Sequence, residues 1–163
     1  MTQSIVLRGL KVGDIGWVAH RQGILYAQEY GWDGSFEAMV AEIAAQFVKN
    51  FDPVNENAWI AECEGRVVGS VFLVQVSDTE AKLRLLYVEP EMRGTGLGRR
   101  LTEECIAFAK ARGYQQLSLW TNDILHAAKH IYQSSGFVLV SEETHHSFAQ
   151  DLVGQYWALD LKN

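Results

Sequence analysis

The stretch Glu89-Pro90-Glu91-Met92-Arg93-Gly94-Thr95-Gly96-Leu97-Gly98-Arg99-Arg100-Leu101 carries the clearest chemistry in the sequence. An apolar run ending at Val88 predicts a strand before it. Leu97, Leu101, Cys105, Phe108 and Arg112 recur every three or four residues and predict a helix after it. A strand that enters a helix through a glycine loop brings bare backbone N–H groups and the positive end of the helix dipole to one point, which suits an anion. Glycine lets a phosphate approach the backbone without meeting a Cβ. Arg93 and Arg99 add charge-assisted contacts. The spacing excludes two commoner phosphate loops. No Gly-Lys-Ser/Thr triplet exists, and Gly94, Gly96 and Gly98 are evenly spaced several residues after Val88, unlike a dinucleotide fingerprint. On the loop alone, a tight turn that binds nothing is the alternative.

Other side chains have reactive character. His20, Glu29, Tyr30, Glu62, His145 and His146 are candidates for a general base. The pair His145-His146 invites a metal, but neighbours on a strand point to opposite faces and no third ligand is evident, so no metal is expected. Trp17, Tyr30, Trp32, Phe36 and Trp120 are candidates to wall a binding pocket, with core packing the alternative for each. Cys63 and Cys105 make no disulfide framework and read as buried, inert thiols.

The elements that must position these residues follow from periodicity. Residues 5–10 read as a strand. A helix opens at 13–16, with Trp17, His20, Ile24, Ala27 and Gln28 at helical spacing, and ends at Gly31. Phe36, Met39, Val40, Ile43, Ala44, Phe47 and Val48 mark a second, amphipathic helix. Strands at 58–64 and 67–76 form a hairpin about Gly65. A third strand of this group, 80–89, alternates Ala81, Leu83, Leu85 and then slips phase to Leu86 and Val88, which predicts a β-bulge. The remaining elements are the helix from 97 to Gly113, a strand at 117–121, a helix at 125–135, a strand from 137 toward 145, and a last strand at 156–161. The order β-α-α-β-β-β-α-β-α-β-β is that of an α+β chain with α/β-type layers, a sheet with helices on both faces.

A length of 163 residues suits one domain, expected over 1–163, and 48% apolar content gives it a core. The net charge of −6 excludes a general nucleic-acid binder. That charge is carried by residues 1–80, whereas 81–132 are net +3. The basic segment suits an anion, and a solvated helix face is the bland alternative. No apolar stretch approaches the ~20 residues of a membrane span. The first residues lack the apolar run of a secretory signal, so no membrane and a cytoplasmic protein are expected.

At this point the sequence resembles the GNAT superfamily of N-acetyltransferases. Arg93-Gly94-Thr95-Gly96-Leu97-Gly98 meets its R/Q-x-x-G-x-G/A signature. Tyr87-Val88-Glu89-Pro90 ends the preceding strand as such strands end, and Asn122, Ala128, Tyr132 and Gly136-Phe137 match its N…A…Y…GF region. The motifs cover roughly residues 59–137. Residues 13–17, 30–32, 145–148 and 151–155 further resemble the acetyltransferase half of bacterial proteins that fuse a winged-helix regulator to this fold. No winged-helix segment is seen, so their regulatory activity is not expected here.

The resemblance implies a mixed, mostly antiparallel sheet and acetyl-CoA as cosubstrate. The pyrophosphate would lie on Arg93, Gly94, Thr95, Gly96, Leu97, Gly98 and Arg99. Pantetheine would lie along Leu86, Tyr87 and Val88, near Asn122 and Ala128, with a backbone N–H near Val88 polarising the thioester. Tyr132 matches the family's general acid, which protonates the departing thiolate; packing with Ile131 and Phe137 is its alternative role. Asn122 fits a pantetheine ligand or, beside Asp123, a turn or cap residue. The implied function is direct acetyl transfer to a primary amine; Glu29, Asp33, Glu37 and Glu42 around the first helices mildly favour a cationic one, with an amino acid, polyamine, antibiotic or protein terminus all open. An acyl-CoA-binding regulatory module with little turnover is the alternative. A homodimer is the family-level expectation.

Overall fold

A computed structural model describes residues 4–162; residues 1–3 and 163 of the expected single domain lie outside them. The elements are β1 (Ile5–Arg8), α1 (Asp14–Tyr30), α2 (Gly34–Lys49), β2 (Asn57–Cys63), β3 (Arg66–Gln75), β4 (Glu80–Val88), a 3-10 turn (Pro90–Met92), α3 (Leu97–Arg112), β5 (Gln116–Asn122), α4 (His126–Ser134), β6 (Val138–Ser147) and β7 (Gln150–Asp160). The strands form one sheet in the order β1-β2-β3-β4-β5-β7-β6. Only β4 and β5 pair in parallel; the other neighbours are antiparallel. This is the expected fold class. No helix among the described residues is long and apolar enough to cross a membrane.

Alternation along the strands feeds two cores. Phe72 and Ile60 pack under Val18, Phe36, Val40 and Phe47 of α1 and α2. Val71, Leu73, Leu83, Leu117 and Leu119 face the other way, against Leu97, Leu101, Cys105 and Ala109 of α3. Each fully buried leucine there contributes about 1.5–3 kcal/mol.

Two expectations are corrected. The inward face of α1 is Asp14, Val18, Ala19, Gln22 and Leu25, not the stripe of Trp17, His20, Ile24, Ala27 and Gln28, most of which is exposed. Packing of small residues against the sheet, with a buried glutamine among them, overrides the larger apolar residues as a guide. The last strand begins at Gln150 rather than 156. Its hairpin with β6 turns at Phe148 and Ala149, both at positive φ (56° and 66°), and neither residue announces a turn.

Candidate active site

The site begins where the sheet opens. β4 and β5 pair only from Glu80–Lys82 against Gln116–Ser118. Beyond that, β4 keeps β3 and β5 keeps β7, so the edges that face one another carry unpaired backbone groups. The bulge expected from the phase slip is present. Leu85 has φ 53°, and the β3–β4 register shifts between Ser70 and Phe72. A left-handed leucine costs roughly 1–2 kcal/mol; the Ser70 hydroxyl donates to its carbonyl at 3.3 Å. Past the bulge, the Glu89 N–H donates to Val68 on β3 at 2.9 Å. Successive N–H groups of a strand point to opposite sides, which puts the Val88 N–H on the open edge.

The glycine loop caps the same end of β4. Gly94 and Gly96 take φ 79° and 84°, and a Cβ on either would meet no atom within 4 Å. That is open space in front of a backbone only glycine adopts easily. Gly98 and Arg99, in the first turn of α3, have N–H groups without intrahelical partners. The Arg93 N–H donates to Pro90 and the Thr95 N–H to Met92, while the Thr95 hydroxyl lies 3.4 Å from the Leu97 N–H. The anion surface is therefore narrower than residues 93–99. The Arg93 side chain is paired with Glu29 of α1 at 2.5 Å, and Arg99 donates to the Ser134 hydroxyl at 3.1 Å. Arg21 of α1 grips Glu89 through two contacts, 2.6 and 2.9 Å. Two ion pairs thus clamp α1 to the loop.

A cavity of about 380 Å³ lies in the opening, walled by α1, α2, β4, β5, α4 and the β6–β7 turn. Leu86, Asn122, Ala128 and Tyr132 line it. The Tyr87 side chain does not: it is buried, packs edge-on to Trp17 at 5.7 Å and donates its hydroxyl to Glu89 at 3.1 Å. Tyr132 is 5% exposed, with its ring 5.7 Å from that of Phe137. Its hydroxyl has no hydrogen-bond partner among the described residues. Burial pushes this phenol well above the ordinary range, so it stays protonated.

Of the six candidate bases, only His145 lines the cavity. Glu62 pairs with Arg8, Glu29 with Arg93, and His146 with Asp151 on the surface. His20 is exposed, and Tyr30 stacks on Tyr26 and Trp32. His145 Nε2 lies 2.9 Å from Asn122 Oδ1, and Nδ1 lies 2.8 Å from the Ser147 hydroxyl. Because Asn122 Oδ1 only accepts, Nε2 carries the proton and Nδ1 is the basic nitrogen. Among the described residues no three His, Cys, Asp or Glu side chains gather to hold a metal.

Of the aromatic candidates, Trp32, Phe36 and Trp120 line the cavity, whereas Trp17 and Tyr30 do not. Sequence reasoning missed Gln22, Tyr26, Lys82, Arg84 and Phe148. Strand alternation would have placed Lys82 and Arg84 on one face, but nothing local says which layer that face meets.

Known proteins share this fold. The acetyltransferase (GNAT) domain family matches residues 54–139. Human N-acetyltransferase 8B is 35% identical over 97 residues, which are 56% of this chain and 43% of that protein. The chain thus spans well under two thirds of the length of that relative. Escherichia coli spermidine N(1)-acetyltransferase is 26% identical over 94% of this chain and 81% of its own length. The fold superposes on an acetyltransferase from Salmonella typhimurium, solved with its cofactor acetyl-CoA, with TM-score 0.76 and 17% identity over 98% of this chain and 95% of that one. The splayed strands, the glycine loop and a family match spanning both show that the chain belongs to the GNAT acetyltransferase family.

Proposed function

We propose that the protein transfers the acetyl group of acetyl-CoA directly to a primary amine. The observation that carries this is Tyr132, a buried, protonated phenol whose hydroxyl has no partner among the described residues, in the cavity between the splayed strands. An amine that displaces a thiolate must lose a proton, and the thiolate must gain one. Tyr132 is suited to the second transfer. His145 Nδ1 is suited to the first, directly or along the Ser147 hydroxyl, with Asn122 holding the opposite N–H.

The residues fit the cosubstrate. Gly94 and Gly96 offer open space to a diphosphate, and Gly98 with the first turn of α3 offers N–H groups, with Arg99 and, after release from Glu29, Arg93 nearby. Thr95 and Leu97 shape the loop between them. The open edge at Leu86, Tyr87 and Val88 offers backbone partners to pantetheine, with Ala128 and the Asn122 amide N–H₂ opposite. The Val88 N–H is suited to polarise the thioester carbonyl. When bound, acetyl-CoA supplies an activated acyl group.

Residues 30–32 and 145–148 supply Trp32, His145, Ser147 and Phe148 to the cavity wall, so the likeness to the regulator-fused acetyltransferases bears on the acceptor side. The same proposal takes 1–163 as one domain and reads the exposed Val138, Leu139 and Val140 of edge strand β6 as the contact of a homodimer. The test is incubation with acetyl-CoA and a panel of primary amines, following thiol release and product mass. Thiol released one-for-one with N-acetyl product is expected. Tight acetyl-CoA binding with no amine acetylated would make the protein an acyl-CoA-binding module instead.

A further inference from the structure

Lys82 and Arg84 stand two residues apart on β4, before the bulge, and share a face. Arg84 sits opposite Phe72 of β3. Phe72 packs edge-on against Phe47 of α2, 5.0 Å between centroids. Both cations therefore face the α1–α2 layer, and both line the cavity. Each is only partly exposed, and neither has a salt-bridge partner among the described residues. Among the described residues, Glu80 is the one carboxylate acting on Lys82. Its Oε2 already accepts from the hydroxyls of Ser118 (2.8 Å) and Tyr156 (3.1 Å), and it is not on the cavity wall. Among the described residues no aspartate or glutamate lines the cavity.

Two further groups on the same wall want an acceptor. Gln22 and Trp32 are each 3% exposed, and Gln22 Nε2 and Trp32 Nε1 have no hydrogen-bond partner among the described residues. A buried N–H without a partner is rare unless a ligand or water serves it. The cavity wall thus combines two cations with two residues that carry unsatisfied buried donors, and among the described residues no carboxylate joins them. Burial pulls the Lys82 ammonium and the Arg84 guanidinium below their usual ranges, and for Lys82 it outweighs the pull of Glu80.

We infer that the acceptor is a small amine that also carries a carboxylate, held by Lys82 and Arg84 with help from Gln22 and Trp32. The inference rests on the reading of this cavity as the acetyl-transfer site. A carboxylate accepts from a guanidinium fork in a planar, charge-assisted pair, and its remaining lone pairs take neutral N–H donors. Tyr26, Phe36 and Phe148 wall the same space and suit an apolar body between the two ends. A polyamine would bring like charge against Lys82 and Arg84.

The test compares amines matched by decarboxylation: phenylalanine with phenethylamine, ornithine with putrescine, and spermidine as a cationic reference. The carboxylate-bearing member of each pair should have the higher kcat/KM by tenfold or more. Arg84→Gln and Lys82→Gln should each raise KM for that member about tenfold and shrink the preference within the pair. The acetyl-CoA dissociation constant should not move. Putrescine, phenethylamine or spermidine acetylated as well as the amino acids would overturn the acceptor class and leave acetyl transfer standing. Absence of acetyl-CoA binding or of all transfer would instead overturn the underlying reading. Unchanged KM in folded Arg84→Gln and Lys82→Gln variants would remove these two residues from recognition.

Discussion

Tyr132→Phe separates catalysis from packing. The ring is 5% exposed and rests on Phe137, and the substitution keeps it. The hydroxyl has no protein partner among the described residues, so its removal strands no donor or acceptor. The expected change in stability is under about 1 kcal/mol. For a domain of this size that is at most about 2–4 °C in Tm. Loss of a general acid costs about 10²–10⁴-fold, or roughly 3–5 kcal/mol of transition-state stabilisation. The catalytic effect therefore exceeds the structural one several-fold. The variant should melt like the wild type, bind acetyl-CoA with similar affinity and turn over at most about a hundredth as fast. Single-turnover thiol release is the appropriate assay, because slow product release would mask a chemical defect. pH adds a second criterion. An exposed phenol would begin to ionise near pH 10, and the defect would shrink there as the wild type lost its own acid. Burial pushes Tyr132 well above that range, so the defect should remain constant through pH 10. Wild-type single-turnover rates in a folded variant would refute the acid role and make Tyr132 a packing residue. A defect that vanishes by pH 9 would refute the reading of its burial.

Gly96→Val places a branched side chain at φ 84° in the open space before the loop; it should cost about 1–3 kcal/mol and weaken acetyl-CoA binding at least tenfold by calorimetry, and unchanged affinity in a folded variant would move the diphosphate elsewhere. A Cβ on Gly154 would lie 2.0 Å from Trp120 Cζ2, so Gly154→Ala must push Trp120 off its place on the cavity wall. Acceptor KM should rise while acetyl-CoA affinity holds, with about 1–3 kcal/mol lost from overpacking; acceptor kinetics and thermal melts read both. At Asp14, burial works to raise the carboxyl pKa, but hydrogen bonds from Arg8 (2.7 and 3.1 Å) and the Lys11 N–H (2.6 Å) outweigh it, and the net shift is downward. The stability this gives is present above about pH 4, the unfolded value, and is lost as pH falls through the lower folded one. Asp14→Asn should cost about 1–3 kcal/mol at pH 7 and flatten the acid limb of urea-melt stability; a limb as steep as the wild type's would place the acid sensitivity on another group.

What the sequence by itself determined was local. The strand–glycine–helix passage at 88–101, the bulge at Leu85–Leu86, the fold class and the chain order of elements follow from periodicity and glycine placement, although the last strand begins at Gln150, six residues before its expected start. Tyr132 and Asn122 stood out by motif and do line the cavity. What only the tertiary structure decided depends on which layer meets which. Gln22 reads as a solvated helix residue until α1 lies on the sheet. Lys82 and Arg84 read as the polar face of a half-exposed strand until α2 covers it. The bonding of His145 to Asn122 joins residues 23 positions apart, on strands that meet only by way of β7. The β6–β7 hairpin turns on Phe148 and Ala149 because tertiary pairing forces a left-handed backbone on residues with no intrinsic preference for it. Acceptor chemistry is written in contacts between elements distant in the chain, and periodicity within one element carries no record of them.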